Sequence, residues 1–208
     1  MNKDLIWNFE FNEQTKIEFD TSLLLKPAES SGPIKWEVRF FWSEDEQCVL
    51  NALTDSEVDL ALYEPKNHKD YYYLIPGYEY NLKKRYEKIF YKPLVERSGR
   101  ALGFGAKQIL EPSSEELSQK DLLATQMLEH INQRSIELYV QKEAFVYSFP
   151  SSPKTKLELG RVEVLNKVFY TACVEGRSYA LVEQIAHHLA PQHQATDYVH
   201  FLQQLVQS

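Results

Sequence analysis

The stretch Ile34-Lys35-Trp36-Glu37-Val38-Arg39-Phe40-Phe41-Trp42 decides how this chain is read. It alternates at a period of two. An extended strand therefore puts Trp36, Val38, Phe40 and Trp42 on one face, and Lys35, Glu37, Arg39 and Phe41 on the other. Two readings follow. In one, the strand is half-buried, with its apolar face inward and its charged face in water. In the other, both faces are enclosed and the charged row lines a solvated cavity. The second is favoured because later strand-like segments repeat the same mixture of Lys, Arg and Glu.

Working outward, Pro27 to Pro33 is a loop of serine, glycine and proline that leads into this strand. Before it, Leu5 to Phe11 and Lys16 to Phe19 alternate on either side of Asn12-Glu13-Gln14, which predicts a β-hairpin. After it, Glu44 to Leu53 is expected to form a short helix. Strands are expected over Val58 to Tyr63 and Tyr71 to Ile75, separated by a turn at Pro65-Lys66-Asn67-His68. Asn81 to Arg85 and Lys88 to Lys92 read as two strands joined by a tight turn at Tyr86-Glu87. A loop containing Gly99, Gly103 and Gly105 precedes a short strand over Lys107 to Leu110. Ser113 and Glu116 have capping-box spacing, and Leu123, Met127 and Ile131 follow at one-turn intervals of a helix. Glu137 to Phe149, Leu157 to Val164 and Val168 to Val174 return to strand character, the last two joined around Asn166. Ser178 to Leu189 is helical, and Thr196 can cap a final helix carrying Tyr198, Phe201, Leu202 and Leu205. The tally is about eight antiparallel-compatible strands with a middle helix and a helical C-terminus.

The 208 residues suit one domain over residues 1–208, with a hairpin extension and loop over 1–33 and helices over 177–208. A chain of this size removes roughly 70% of its unfolded surface from water. The net charge of −7 argues against a general nucleic-acid-binding surface. Cys48 and Cys173 are far apart and make no metal-spaced pair, as expected for buried thiols in a reducing compartment. The chain opens without a signal peptide and carries no membrane-length apolar run, so a cytoplasmic protein without a membrane partner is expected. There is no P-loop, no dinucleotide-binding glycine fingerprint and no Gly-x-Ser-x-Gly elbow. His187, His188, His193 and His200 fall in the helical tail at spacings unsuited to zinc.

The charged strand positions carry more information. Lys35, Glu37 and Arg39 share a face, as do Lys83 and Arg85, and Lys88 and Lys92. Lys107, Lys142, Arg161, Glu163 and Glu175 lie in or beside later strands. Cations gathered on neighbouring strands of a closed sheet repel one another unless a polyanion fills the space between them. Acidic residues among them could hold Mg²⁺ or Mn²⁺ bridging phosphate oxygens.

These segments resemble the CYTH superfamily of triphosphate tunnel metalloenzymes. Lys35-x-Glu37-x-Arg39 is similar to a variant of its Glu-x-Glu-x-Lys signature. Asp70-x-Tyr72-Tyr73-Leu74, Leu82-Lys83-Lys84-Arg85 and Phe90-Tyr91-Lys92 resemble the strand before its basic pair, its Leu-Arg-x-Arg strand and the strand ending in a tunnel lysine. Val140-x-Lys142 is similar to its Lys-x-Arg strand, with Ala144 where the arginine would stand. Ala172-Cys173-Val174-Glu175-Gly176 resembles the last tunnel strand, and Thr196-Asp197-Tyr198-Val199-His200-Phe201-Leu202 the family's closing segment. The resemblance runs from about Ile34 to Leu205.

It implies an α+β fold, a closed or nearly closed antiparallel β-barrel or tunnel with helices packed outside. It implies phosphate contacts from Lys35, Arg39, Lys83, Arg85, Lys92, Lys142 and Arg161, and a divalent ion, Mg²⁺ or Mn²⁺, held by Glu37, Glu163 and Glu175. Glu37 and Arg39 take the catalytic positions. Three functions remain: a metal-dependent hydrolase of a triphosphate, phosphoanhydride or nucleotide; a non-catalytic module that binds polyphosphate or another anion; and a protein-interaction domain. Lys35 stands where the family has a glutamate, which weakens metal binding and turnover while keeping anion binding.

Overall fold

A computed structural model describes residues 7–18, 20–25, 33–110 and 119–207. In chain order the first half forms β1 (Phe9–Asn12), α1 (Ser22–Leu25), β2 (Lys35–Ser43), β3 (Cys48–Asn51), α2 (Asp55–Val58) and β4 (Glu64–Leu74). Then come β5 (Asn81–Arg85), β6 (Lys88–Lys92), β7 (Leu94–Ser98), β8 (Ala101–Phe104), β9 (Gln108–Leu110) and α3 (Gln119–Arg134). The remainder is β10 (Ile136–Ser148), β11 (Thr155–Val164), β12 (Lys167–Gly176), α4 (Tyr179–Leu189) and α5 (Tyr198–Gln207). The fold is mixed α+β. Ten strands make one antiparallel sheet in the order β7-β8-β2-β12-β11-β10-β4-β5-β6-β9, and β1 pairs β3 in a separate parallel ladder. Among the described residues the large sheet is not closed: β7 and β9 are its two edges.

The sheet is nevertheless strongly rolled. β2 and β6 stand third and ninth in the order, so a flat sheet would hold them roughly 29 Å apart at ~4.8 Å per strand. Yet Lys92 Nζ on β6 lies 2.9 Å from Glu37 Oε2 on β2. Pro93 alone joins β6 to β7, so the chain itself crosses between the two ends of the sheet. β2 is thereby enclosed on both faces, the second of the two readings above.

Its apolar face, Trp36, Val38, Phe40 and Trp42, packs in one cluster with Val174, Leu157 and Leu159 from neighbouring strands and with Leu181, Val182, Ile185 and Leu189 of α4. Ser178 caps α4, its hydroxyl accepting from the Leu181 amide. α3 covers the far part of the same outer surface, where Met127 is buried with Tyr73, Ile75, Leu82 and Tyr91. Ala124, Leu128 and Ile131 join Met127 on that face, whereas Leu123 is exposed.

α5 does not lie outside. Tyr198, Phe201 and Leu202 insert against Phe41, Val140, Val162, Val164 and Phe169 on the inner surface. The reason is that the inner face is charged over only half its length. Phe41 breaks the Lys35, Glu37, Arg39 row, and that apolar end needs a cover. Phe41 and Phe201 stack at 3.8 Å.

Several expectations are corrected. Among the described residues the N-terminal hairpin is absent: Phe9–Asn12 pairs with Cys48–Asn51, and Glu13–Glu18 is a 3-10 helix. There the Thr15 hydroxyl is within donating distance of the nearby Asn12 carbonyl and of the Ala52 carbonyl just past β3, so a local turn held by a tertiary contact stands in place of a second strand; Leu5 and Phe19 lie outside the described residues. The short helix expected in Glu44 to Leu53 is β3, and the strand expected over Val58 to Tyr63 is α2 plus a 3-10 turn at Leu60–Leu62, each started by a side-chain cap, Thr54 and Asp59. The turn expected at Pro65 to His68 is the first half of β4. It has ladder partners on β10, but β5 pairs only with Tyr71 and Tyr72, so Pro65 costs no second ladder bond. The glycine-containing loop is the β7–β8 hairpin. Gly99 turns it at φ +54, and a Cβ on Gly103 would meet Ile34 at 2.9 Å and the Trp36 ring at 3.0 Å. Asp197, not Thr196, caps α5 through the His200 amide. The capping box at Ser113 and Glu116 falls outside the described residues. The tight turns at Tyr86-Glu87 and Leu165-Asn166 are present, with positive φ at all four positions, the two-residue geometry that matches strand twist.

Glu57 of α2 is fully buried. One carboxyl oxygen accepts from the Leu53 amide at 2.9 Å and the other has no partner among the described residues. Burial raises its pKa to about 8. The folded protein thus keeps the proton that the unfolded chain gives up near the ordinary carboxylate value. Stability contributed at low pH is lost as pH rises from about 4.5 to 8, at about 1.4 kcal/mol per unit. Glu57→Gln should flatten that slope: denaturant unfolding should find the variant no better than the unmodified chain at pH 5 and more stable at pH 8.

Candidate functional site

The inner surface is built from matching residues of successive strands. Glu37 on β2 opposes Glu175 on β12, Arg39 opposes Cys173, and Cys173 in turn opposes Glu158 on β11. Lys142 on β10 opposes His68 on β4, and Tyr72 opposes Lys83 on β5. Because side chains alternate across the pleat, these registers send one charged residue after another into the same half-open cavity.

That space has a volume of about 260 Å³ and is lined by seven basic side chains (Lys35, Arg39, Lys83, Arg85, Lys92, Lys107 and Lys142) against three carboxylates (Glu37, Glu158 and Glu175), with His68, Tyr72, Asn81, Phe90 and Tyr198; the buried Asp70 bonds two of the lining cations, Lys83 and Arg85. A second cavity of about 480 Å³ is lined by Arg97, Arg100, Gln194, Thr196, His200 and Gln204 among others, and shares Glu37 and Arg39 with the first. The two cavities meet at that ion pair.

Every carboxylate in the smaller cavity holds a cation. The Arg39 Nε donates to Glu37 at 3.0 Å and its Nη1 to Glu158 at 3.1 Å and Thr171 at 3.3 Å. Lys92 binds Glu37 and Lys142 binds Glu158, both at 2.9 Å. Lys35 binds Glu175 at 2.7 Å. Asp70 receives Lys83 at 2.9 Å and the Arg85 Nη2 at 2.6 Å. Aromatic faces back several of these cations: Tyr198 lies 4.8 Å from Arg39, and Phe104 3.9 Å from Lys92. Lys107 lies 4.3 Å from the Phe90 ring.

The charges are unevenly distributed. Burial alone would raise the carboxyls of Glu37 and Glu158, but Lys92 and Arg39 on the first, and Lys142 and Arg39 on the second, hold both well below the usual carboxylate range. At the other end Asp70 is bonded to both Lys83 and Arg85, and its charge also acts on Lys107. There burial, then neighbouring cations, lowers Lys83 and Lys107 and brings His68 down to about 4. Burial is the larger cause in each case, and repulsion from the neighbouring cations acts in the same direction. His68 is thus neutral near pH 7 in a site with positive charge to spare.

Of the residues expected from the sequence, Lys35, Glu37, Arg39, Lys83, Arg85, Lys92, Lys142 and Glu175 come together here. Arg161 and Glu163 do not. They occupy odd positions of β11, where Leu157 and Leu159 point outward, and they pair with each other. The sequence reading marked Lys107 as a charged strand position without giving it a role, and it missed Glu158, His68, Tyr72 and Tyr198 in the wall and the buried Asp70 that Lys83 and Arg85 share. Glu158 carries the same signal as the opening strand, a charge between two apolar neighbours, Leu157 and Leu159.

The expected metal site does not assemble. With Glu163 on the opposite face, only Glu37 and Glu175 of the three expected ligands adjoin. Among the described residues no group of three His, Cys, Asp or Glu side chains is placed to hold a metal ion. Each carboxylate is occupied by a lysine or arginine, and the Arg39 guanidinium, 6% exposed, lies between Glu37 and Glu158 where a bridging cation would go. A hard divalent ion needs several oxygen ligands and would meet three cations here. The residues present do not fit it.

No family model, no curated protein and no solved structure matches this chain. Among the described residues no helix is long and apolar enough to cross a membrane.

Lys83 and Arg85 share Asp70 as counter-ion, so its loss leaves the two cations facing each other. Asp70→Asn should lower stability by about 1–3 kcal/mol at low salt. Inorganic phosphate should restore more of it in the variant than it adds to the unmodified chain, as read by thermal melting.

Proposed function

We propose that the rolled sheet works as a tunnel of the triphosphate tunnel type, and that its interior binds a linear polyphosphate or the phosphate chain of a nucleotide-like ligand. The observation that carries this reading is the cation surplus of the cavity wall, where seven basic side chains face three carboxylates and two of the seven, Lys83 and Arg85, share the single buried Asp70. Phosphate oxygens would accept from Lys83, Arg85 and Lys107, with Lys142, Lys92 and Arg39 following along the cavity. Each charge-assisted hydrogen bond contributes roughly 1.5–3 kcal/mol in such surroundings. The volume of about 260 Å³ is below the roughly 300–1,000 Å³ of pockets for drug-sized ligands, so it suits a phosphate chain better than a whole nucleotide. The larger cavity beyond Glu37 and Arg39 supports the passage having two mouths.

Binding is supported better than turnover. Phosphoryl transfer needs a positioned nucleophile and charge stabilisation on the leaving side. Glu37 and Glu158, held far below neutrality by their cations, are poor proton acceptors, and Arg39 stays protonated. His68, at about 4, is also a weak base at pH 7. The chain is therefore read as a polyphosphate receptor.

Tripolyphosphate should raise the melting temperature at low ionic strength, with the shift shrinking as salt is added. Arg85→Ala should weaken binding roughly ten- to a hundredfold by calorimetry. Phosphate release should fall far below the roughly 1–10³ per second of ordinary enzymes. Absence of binding to any polyphosphate at low salt would end the reading.

A further inference from the structure

The geometry points to a ligand taken up as the free anion, without a divalent ion, with Arg39 in the place a bridging metal would hold. This rests on the polyphosphate reading and narrows it. In a metal-dependent site, carboxylates gather an ion and the ion gathers phosphate oxygens. Here the carboxylates gather protein cations instead. The Arg39 guanidinium donates to Glu37 through Nε and to Glu158 through Nη1, so one fixed positive group joins acids on two different strands, β2 and β11. Lys92 and Lys142 complete the same two carboxylates from β6 and β10. Lys35 takes Glu175 at the mouth.

The arrangement disfavours a metal in two ways. An entering Mg²⁺ would have to displace at least two ammonium or guanidinium partners to reach two carboxylate oxygens, and those cations would stay within a few ångströms and repel it. Guanidinium, by contrast, is charged at every relevant pH and is more weakly hydrated than an ammonium, so it suits a buried bridge. The charge that Mg²⁺ would neutralise on a polyphosphate is met by the basic surplus of the walls. Mg²⁺ in solution then competes with the protein for the same oxygens.

Lys35 is the accessible test of this account, because its side chain is 45% exposed and its replacement leaves the buried pairs intact. Lys35→Glu would free Glu175 of its cation and set a second uncommitted carboxylate beside it, so a hard cation could reach two carboxylate groups without displacing Arg39, Lys92 or Lys142.

The experiment is calorimetry of tripolyphosphate into the full chain, in EDTA and in excess Mg²⁺, with thermal melts of the unmodified chain and K35E in Mg²⁺ alone. Expected is binding in EDTA at least as tight as in Mg²⁺, no Mg²⁺-induced shift of the unmodified melting temperature, and a Mg²⁺-induced rise for K35E. Binding only in Mg²⁺, or at least tenfold tighter there, overturns the inference while leaving the polyphosphate reading standing. K35E that stays blind to Mg²⁺ overturns the account of why the ion is excluded. Absence of binding in both buffers overturns the polyphosphate reading, and this inference with it.

Discussion

The Arg39 guanidinium, bridging Glu37 and Glu158 beneath the Tyr198 ring, is the contact on which the interior depends. It ties β2 to β11 across β12, and Lys92 and Lys142 extend the bridge to β6 and β10. An ion pair in this setting stabilises little against an apolar alternative, because desolvating both charges costs about as much as their attraction returns. Removing one member is another matter, since the orphaned charge stays buried. The network is therefore unforgiving at every position, and its members must be satisfied together.

This explains a contrast in charge. The whole chain carries −7, while the cavity wall carries more cations than carboxylates. The acid surplus lies outside, and the roll of the sheet separates the two populations. A field of one sign inside low-dielectric walls is stronger than the same charges would give in water, and it attracts small anions. On the polyphosphate reading proposed above, that separation of charge favours a small anion over a large polyanion such as nucleic acid.

How much of this was legible in the sequence depended on the kind of signal. Strict alternation was reliable where strands were long: β2, β10, β11 and β12 lie close to where their residues predicted them. It also brought eight of the expected site residues to one cavity. It failed where the side-chain period was right but its phase was not fixed by a neighbour. Arg161 and Glu163 alternate as well as Glu158 does, and only the register with β10 and β12 says which row faces inward. Short segments were misread because local caps decided them, as Thr54 and Asp59 did before Leu62. Pro65 looked like a turn because a proline in a strand depends on which edge is paired, and that is tertiary information. The placement of α5 inside the roll was foreshadowed only by Phe41, an aromatic residue in a charged row.

That aromatic break has a consequence for the site. Phe41, Phe169, Val162 and Val164 leave one half of the inner surface apolar, and α5 covers it with Phe201 and Leu202. Burying side chains of this size contributes roughly 1.5–3 kcal/mol each. This is the source of stability that the ion-pair half lacks. The helix that supplies it also delivers Tyr198, whose ring backs Arg39 and stacks parallel to Tyr72 at 5.4 Å. Packing and electrostatics thus meet at one residue. The apolar half fixes where α5 sits, α5 fixes the ring under the guanidinium, and the guanidinium fixes both carboxylates. A charged cavity of this kind holds its shape because an oily plug, rather than its own ion pairs, holds the strands around it.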